Sequence, residues 1–244
     1  MKPFFLALSI LSRIPVPCKL YDGVNEASRA TRYFPIVGVL LGLLIGACTY
    51  GLSLVFPVFP LAVLIVILMA GISGAFHLDG WADCADGFLS SRPREKVLEI
   101  MKDSRIGAMG TLALIFMVLL KVSLLVELVE KLDVLSLSFA VLLSVLAGRC
   151  ALIWHMKLTN VLGDGLGRSF WNQSLSALFI SLFVFGLGIY FLLPLFLMKS
   201  LVIQLLISFV WSFYCRAKIS GGTGDTLGAS CELAEAGFFL GLLI

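Results

Sequence analysis

The sequence predicts an all-α integral membrane protein: one polytopic domain, residues 1–244, with about seven transmembrane helices and short interfacial helices. Hydrophobic residues make up 60% of the chain and charged residues only 14%, whereas about a quarter of the residues in a soluble domain are charged. Seven apolar stretches approach the length of roughly 20 residues with which a helix crosses the hydrocarbon core. They are 34–56, 58–76, 108–126, 135–154, 175–197, 200–215 and 226–244.

The basic residues predict how these helices are oriented. If the seven stretches alternate across the bilayer, 15 of the 18 Lys and Arg residues fall on the side of the N-terminus. Basic residues concentrate on the cytoplasmic side of membrane proteins. We therefore expect a cytoplasmic N-terminus in a multi-pass protein of the cell (inner) membrane, surrounded by the lipid bilayer. The net charge of +3 is too small to indicate a nucleic-acid partner.

Two further segments are predicted to form short interfacial helices. Residues 1–11 are apolar, but no small-residue cleavage site follows them, so we do not expect their removal as a signal peptide. Residues 92–107 combine an apolar stripe at helical spacing with a polar face, the pattern of a helix that lies on a membrane surface.

The strongest indication of chemistry is the segment 77–87, which follows directly on an apolar stretch. Asp79, Asp83 and Asp86 are spaced by four and three residues, which places them on one face of a helix. No basic residue lies among them, so their charges repel one another unless a cation binds. Carboxylate oxygens suit Mg²⁺, and we predict the three as metal ligands. The alternative is an acidic face exposed to water.

The neighbouring residues leave two interpretations each. Gly80 and Gly87 permit either the close approach of a ligand or the tight packing of membrane helices. His77 either binds substrate phosphate or has a capping or packing role. His155, at the end of the fourth stretch, is predicted to be interfacial.

Charged residues before the third stretch are candidates for substrate binding and catalysis. Lys102 and Arg105 are predicted to neutralise phosphate, and an arginine does so with two parallel hydrogen bonds. The alternative is ordinary anchoring at the cytoplasmic face. Asp103 is a candidate catalytic residue together with Arg105. The glycine-rich turn 163–168 is a weaker signal, since a flexible connection has the same composition.

A second glycine-rich segment, 220–229, leads into the last apolar stretch. Successive backbone N–H groups at a helix N-terminus bind anions, which predicts a phosphate site at Gly221, Gly222, Thr223 and Gly224. Asp225 and Glu232 are candidate metal ligands, because carboxylates that enter an apolar span are costly and commonly functional. Glu235 is expected to face outward.

These features together indicate phosphoryl transfer, in which metal ions neutralise charge and orient phosphates. They all fall on the predicted cytoplasmic side, as expected of an enzyme supplied from the cytoplasm. A transporter would more often place its polar residues near the bilayer midplane, in repeated halves, and the sequence has no internal repeat.

Five motifs spread over essentially the full length of the chain match those of a known family. They are Arg13–Pro17, Phe34–Gly38, His77–Gly87, Asp103–Gly107 and Thr223–Ala229. By these motifs the chain resembles the cobalamin synthases, the adenosylcobinamide-GDP ribazoletransferases of bacteria and archaea. Two departures are Trp81, where leucine is expected, and Ser220, where a Gly-Gly-x-Thr-Gly-Asp run usually begins, and neither removes a carboxylate.

The resemblance implies a Mg²⁺-dependent membrane enzyme. The 3′-hydroxyl of α-ribazole, or of its 5′-phosphate, attacks the phosphate joined to cobinamide in adenosylcobinamide-GDP. GMP leaves, and adenosylcobalamin or its 5′-phosphate forms. In this chain we expect the aspartates of 77–87 to hold the metal, supported by Asp225 and Glu232. We expect Asp86 or Asp103 to take the hydroxyl proton, and Arg105 with residues 221–225 to bind phosphates.

Two alternatives remain at this point. A CDP-alcohol phosphotransferase also has aspartates at helical spacing, but its Ala-Arg and further Asp-x₃-Asp do not follow Gly87. A cation or vitamin transporter is the non-enzymatic alternative. The sequence leaves open whether the chain forms a homo-oligomer or associates with other late enzymes of the cobalamin pathway.

Overall fold

Helices account for nearly all of the regular structure. The computed structural model describes residues 2–16, 24–162, 166–171, 175–192 and 196–244. Within these ranges one isolated bridge, between Val161 and Gly222, is the only strand-like pairing, so the predicted all-α class is confirmed. The helices are α1 (Lys2–Leu11), α2 (Val24–Ala30), α3 (Phe34–Ser53), α4 (Val58–Ser73), α5 (Phe76–Phe88), α6 (Arg94–Ile100), α7 (Ala108–Lys131), α8 (Val134–Leu158), α9 (Leu166–Trp171), α10 (Leu175–Leu192), α11 (Phe196–Ile219) and α12 (Gly224–Leu243).

Several helices are long and apolar enough to cross a membrane. In the described ranges there are five such helices, and a sixth span if α4 and α5 are counted together. The predicted stretch 175–197 corresponds to α10, but residues 193–195 lie outside the described residues. The five are Ala27–Ser53, Ala108–Lys131, Val134–Leu158, Lys199–Ile219 and Gly224–Leu243.

The predicted span 58–76 is broken at its end. Helix α4 has 16 residues, about 24 Å at 1.5 Å per residue, so it is shorter than the hydrocarbon core of about 30 Å. The chain then turns by 91° into α5. Gly74 and Ala75 make this turn in the left-handed conformation, with φ of 64° and 60°. For an alanine this conformation costs about 1–2 kcal/mol, so the bend is held by its surroundings.

One source of that support is the segment after α1. The N–H of Arg13 donates to the carbonyl of Ile72 at 2.8 Å, and the Arg13 side chain lies so close to Gly74 that a Cβ there would collide with it. The bend thus aims α5, with its aspartates, away from the axis of α4.

Helix α8 lies at the centre of the bundle, and most of its side chains are buried. Helix α3 approaches it closely through glycines: a Cβ on Gly42 would lie 2.7 Å from the Leu142 carbonyl oxygen, and one on Gly46 would lie 2.8 Å from that of Ser138. Small residues commonly mark such membrane-helix interfaces. Helix α12 packs against α5, α7, α8 and α11, and it therefore connects the core to the aspartates of α5.

Candidate active site

Four carboxylates lie near the point where α5 crosses the start of α12. Asp79 is exposed, whereas Asp83 and Asp225 are half-buried. Gly80 allows the crossing, because a Cβ there would lie 2.7 Å from the backbone oxygen of Asp225 and 2.9 Å from its Cα. Of the two interpretations of this glycine, the structure supports helix packing. As a result Asp83 experiences the negative charges of Asp225, Asp79 and Asp86.

The donor set suits a divalent cation in its chemistry. Among the described residues, none of the four carboxylates forms an ion pair, and their oxygens are hard ligands of the type that Mg²⁺ takes. In the described ranges, however, no three His, Cys, Asp or Glu side chains are arranged to hold a metal ion. The four carboxylates are therefore not oriented towards a common point. Binding a metal here therefore requires the carboxylates to rotate towards one another.

Asp86 has a structural task that the sequence analysis missed. Its carboxylate accepts hydrogen bonds from the N–H of Gly107 at 2.7 Å and of Gly110 at 2.8 Å. These groups open α7, where helical N–H groups have no intrahelical acceptor, so Asp86 caps α7 from the neighbouring helix. A Cβ on either glycine would collide with the carboxylate. Each oxygen keeps a lone pair, so the predicted metal-binding role remains chemically compatible.

Asp103 and Arg105 form a two-pronged ion pair on the loop before α7. The guanidinium donates to Asp103 through Nε at 3.0 Å and through Nη2 at 2.7 Å. These hydrogen bonds lower the pKa of Asp103 from 3.8 to about 2. An efficient general base has a pKa near the working pH. This arrangement therefore disfavours Asp103 as the group that takes the hydroxyl proton and indicates that it orients Arg105.

Arg105 and Lys102 both remain accessible. The Arg105 side chain is 87% exposed despite its ion pair, and Lys102 is exposed on the same loop. Both residues can therefore meet a phosphate that arrives from solvent.

The glycine-rich loop before α12 is tied to the end of α8. The N–H of Gly222 donates to the carbonyl of Asn160 at 2.8 Å, and the N–H of Leu162 donates to Gly222 at 2.9 Å. The N–H of Thr223 donates to the Thr226 hydroxyl at 2.8 Å. The N–H groups of Gly222 and Thr223 are thus not free to surround an anion, which corrects the predicted cradle. The N–H groups at the first two positions of α12, Gly224 and Asp225, have no intrahelical acceptor.

Comparison with known proteins agrees with the motifs that form this site. The profile of the family described as CobS, cobalamin-5-phosphate synthase, matches residues 3–243. The chain belongs to the cobalamin-5-phosphate synthase family. The resemblance stated from the sequence is thereby confirmed, and the protein is a membrane enzyme of cobalamin biosynthesis, a transferase rather than a transporter.

Curated relatives cover the whole chain. Adenosylcobinamide-GDP ribazoletransferase of Thermoanaerobacter sp. (strain X514) is 35% identical over 239 residues, 96% of this chain and 94% of the relative. The proteins of that name from Escherichia coli O17:K52:H18 (strain UMN026 / ExPEC) and Clostridium botulinum (strain Langeland / NCTC 10281 / Type F) are both 36% identical. The first covers 99% of each chain, and the second covers 100% of this chain and 98% of the relative. No solved structure matches the chain.

In this member of the family, Glu232 forms a buried ion pair with Lys121 and is not grouped with the aspartates. Its Oε2 lies 2.6 Å from Nζ of Lys121 on α7, and Oε2 of Glu235 lies at the same distance from that nitrogen. Arg149 on α8 pairs with the other oxygen of Glu235. All four side chains are at most 5% exposed. We call Lys121, Arg149, Glu232 and Glu235 the buried tetrad.

The buried tetrad corrects three expectations. Glu232 is neutralised by Lys121, two helical turns deeper than Asp225, and is therefore not placed as a metal ligand. Glu235 faces inward instead of outward. Alternation of the seven stretches assigns Arg149 to the basic residues on the cytoplasmic side, but it lies inside the bundle. These corrections share one cause: pairing between helices depends on how each helix is rotated, and the sequence alone does not fix that rotation.

Both histidines of this synthase-family chain lie inside the fold. His77 is 3% exposed, and its backbone meets α12, since a Cβ on Gly228 would lie 3.0 Å from the His77 carbonyl oxygen. The packing interpretation of His77 is therefore favoured over phosphate contact. His155, in the last turn of α8, is fully buried within the protein. A Cβ on Gly87 would collide with Met101, which again indicates packing. Of the turn 163–168, residues 163–165 lie outside the described residues.

Proposed function

We propose that the protein joins adenosylcobinamide-GDP to α-ribazole or α-ribazole 5′-phosphate, at a Mg²⁺-dependent site on the cytoplasmic face of the cell membrane. The observation that carries the proposal is the proximity of Asp79, Asp83 and Asp225 at the crossing of α5 and α12. It lies beside the Arg105 loop because Asp86 joins α5 to the start of α7. The two substrates are those in the name of the relatives, adenosylcobinamide-GDP ribazoletransferase.

The reaction breaks one phosphoanhydride bond and forms one phosphodiester bond. The 3′-hydroxyl oxygen bonds to the phosphorus attached to cobinamide, its proton is lost, and GMP leaves with the bridging oxygen. The aspartates would hold Mg²⁺, which when bound would neutralise charge on the phosphates. Arg105 binds a phosphate oxygen, and Asp103 orients the guanidinium of Arg105. Asp86 is the remaining candidate for the proton, with one lone pair left on each oxygen.

The cytoplasmic placement is supported by the gathering of basic segments at one end of the bundle. Nε of Arg94 on α6 donates to the carbonyl of Ile219 at the end of α11, at 2.7 Å. Two further contacts join segments to this end. The hydrogen bond from Gly222 to Asn160 joins the segment after α8, and the hydrogen bonds of Asp86 join the start of α7. Because this end carries most of the Lys and Arg residues outside the spans, the positive-inside rule favours the cytoplasm for it.

The test uses purified protein in nanodiscs with adenosylcobinamide-GDP, either acceptor and Mg²⁺. We expect GMP release that requires both substrates, with the corrinoid product verified by mass, and that stops when EDTA is added. Comparing kcat/KM for α-ribazole and its 5′-phosphate identifies the preferred acceptor. If folded protein releases no GMP with either acceptor, the proposed substrates are wrong. Release that survives EDTA would contradict only the metal requirement.

Replacing Asp103 with Asn tests its assignment as an orienting group. The lowered pKa of Asp103 means that the ion pair is present above pH 4 and is lost only as the pH falls through about 2. We therefore expect kcat/KM to drop by the same factor, roughly three- to tenfold for a misdirected arginine, at every pH from 5 to 9. The control is Glu99→Gln, which breaks the exposed ion pair with Lys96 on α6. An acidic limb that disappears only in Asp103→Asn would mean that Asp103 is the base.

A further inference from the structure

We propose that His155 is a positioning residue that holds Asp225 in place by anchoring the hydroxyl of Thr226. The inference rests on the proposed function, because Asp225 is one of the proposed metal ligands. It concerns a buried side chain on α8 that touches none of the reacting groups.

The His155 ring lies between three structural elements. Nδ1 is 2.9 Å from the Ser212 hydroxyl on α11, and Nε2 is 3.0 Å from the Thr226 hydroxyl on α12. The glycine-rich loop passes directly over the ring, since a Cβ on Gly222 would lie 3.1 Å from Nε2. The ring is fully buried, so these two hydroxyls are its polar partners.

The Thr226 hydroxyl uses every hydrogen-bonding position it has. It accepts the N–H of Thr223 at 2.8 Å and donates its proton to the carbonyl of Thr223 at 2.9 Å. A hydroxyl has one donor and two acceptor positions. With the hydroxyl proton on the Thr223 carbonyl, we infer that the remaining position accepts a hydrogen from Nε2. Nε2 therefore carries the proton of a neutral His155. Nδ1 then accepts from Ser212, whose hydroxyl has the Ser208 carbonyl at 2.8 Å as its alternative acceptor.

This arrangement connects His155 to a carboxylate of the site. Thr223 and Thr226 form a capping box, a reciprocal pair of hydrogen bonds that opens α12. The Thr223 hydroxyl also contacts Oδ2 of Asp225 at 3.3 Å. Trp211 donates to the carbonyl of Thr226 at 3.0 Å, which anchors the backbone of this turn. The separate contribution of His155 is to fix the hydroxyl on which the capping box depends.

Two substitutions of His155 distinguish its two nitrogens. The amide nitrogen of Gln reaches about as far as Nε2, whereas that of Asn reaches only about as far as Nδ1. We expect His155→Gln to keep kcat within about threefold. His155→Asn should lose about tenfold or more, because small misplacements of catalytic groups have effects of this size or larger. Thr226→Val removes the hydroxyl and should lower kcat by the same factor as His155→Asn. Thr226→Ser keeps the hydroxyl and should keep kcat near the wild-type value. Ser212→Ala should lower kcat less than His155→Asn does.

Two measurements do not depend on turnover. ¹⁵N NMR of histidine-labelled protein should show a neutral Nε2–H ring for His155. The chain has only two histidines, so His77→Gln assigns the signals. Hydrogen exchange of segment 220–226 should rise in His155→Asn and stay unchanged in His155→Gln.

The outcomes separate this inference from the proposed function. If wild-type protein releases no GMP, the proposed function fails, while the ring state and the exchange data still test the anchoring. Equal activity and exchange in His155→Gln and His155→Asn would overturn the anchoring, as would an Nδ1–H or doubly protonated ring. An effect of His155→Asn that adds to that of Thr226→Val would also overturn it, because the two residues should act as one unit.

Discussion

Asp83→Asn is expected to lower kcat by about 100-fold or more, the range seen when one electrostatic contributor to a transition state is removed, without weakening the fold. Asp83 is half-buried and surrounded by the charges of Asp225, Asp79 and Asp86. Neutralising it removes repulsion, so the midpoint of thermal unfolding should stay constant or rise. Loss of activity combined with equal or higher stability is typical of groups that are arranged for function.

The measurement compares Asp83→Asn with the wild type in two ways: kcat with Mg²⁺ present, and thermal unfolding without added metal. The control is Glu130→Gln, which changes an exposed carboxylate on α7 and should leave both quantities unchanged. If Asp83→Asn retains near-wild-type turnover at limiting Mg²⁺, the carboxylates are a solvated acidic face and not the metal site.

Lys121→Met is expected to destabilise the protein by about 3–5 kcal/mol, the usual cost of removing one partner from a buried ion pair. Lys121 faces Glu232 and Glu235 at 2.6 Å each, and after its removal only Arg149 would balance their two charges. The double variant Lys121→Met with Glu232→Gln keeps the tetrad neutral. It should therefore recover a large part of the lost free energy of unfolding.

The control for Lys121 lies on the same helix. Lys131 pairs with Glu127 at 3.3 Å, and both side chains are more than half exposed. Exposed ion pairs contribute roughly 0–1 kcal/mol, so Lys131→Met should have little effect. The measurement is the unfolding free energy in mixed detergent micelles. Additive losses in the double variant would mean that Lys121 and Glu232 are not energetically coupled.

The sequence predicted the parts of the site that depend on one helix alone. The spacing of Asp79, Asp83 and Asp86 follows from helical geometry, and the class of the protein follows from its composition. The enzyme class came from the motifs together, not from any one spacing.

Other parts of the site depend on contacts between distant segments. Lys121 and Glu232 are 111 residues apart in the chain, and nothing in either segment indicates that they pair. The loop at Gly222 has the composition of an anion site, but Asn160 of another segment takes its N–H. The left-handed Ala75 at the α4–α5 bend is equally hidden, because alanine is the residue most typical of a regular helix.

The buried tetrad has a consequence for how the protein enters the membrane. Helices α7 and α8 are synthesised before α12, so each initially carries one cation of the buried tetrad without its carboxylate partner. A single Lys or Arg at the centre of an inserting helix costs about 2.5–3.5 kcal/mol. These helices therefore depend on their strongly apolar sequences, or on the translocon, until α12 arrives and neutralises both. The last assembly step of the bundle is thus also the step that brings Asp225 to α5.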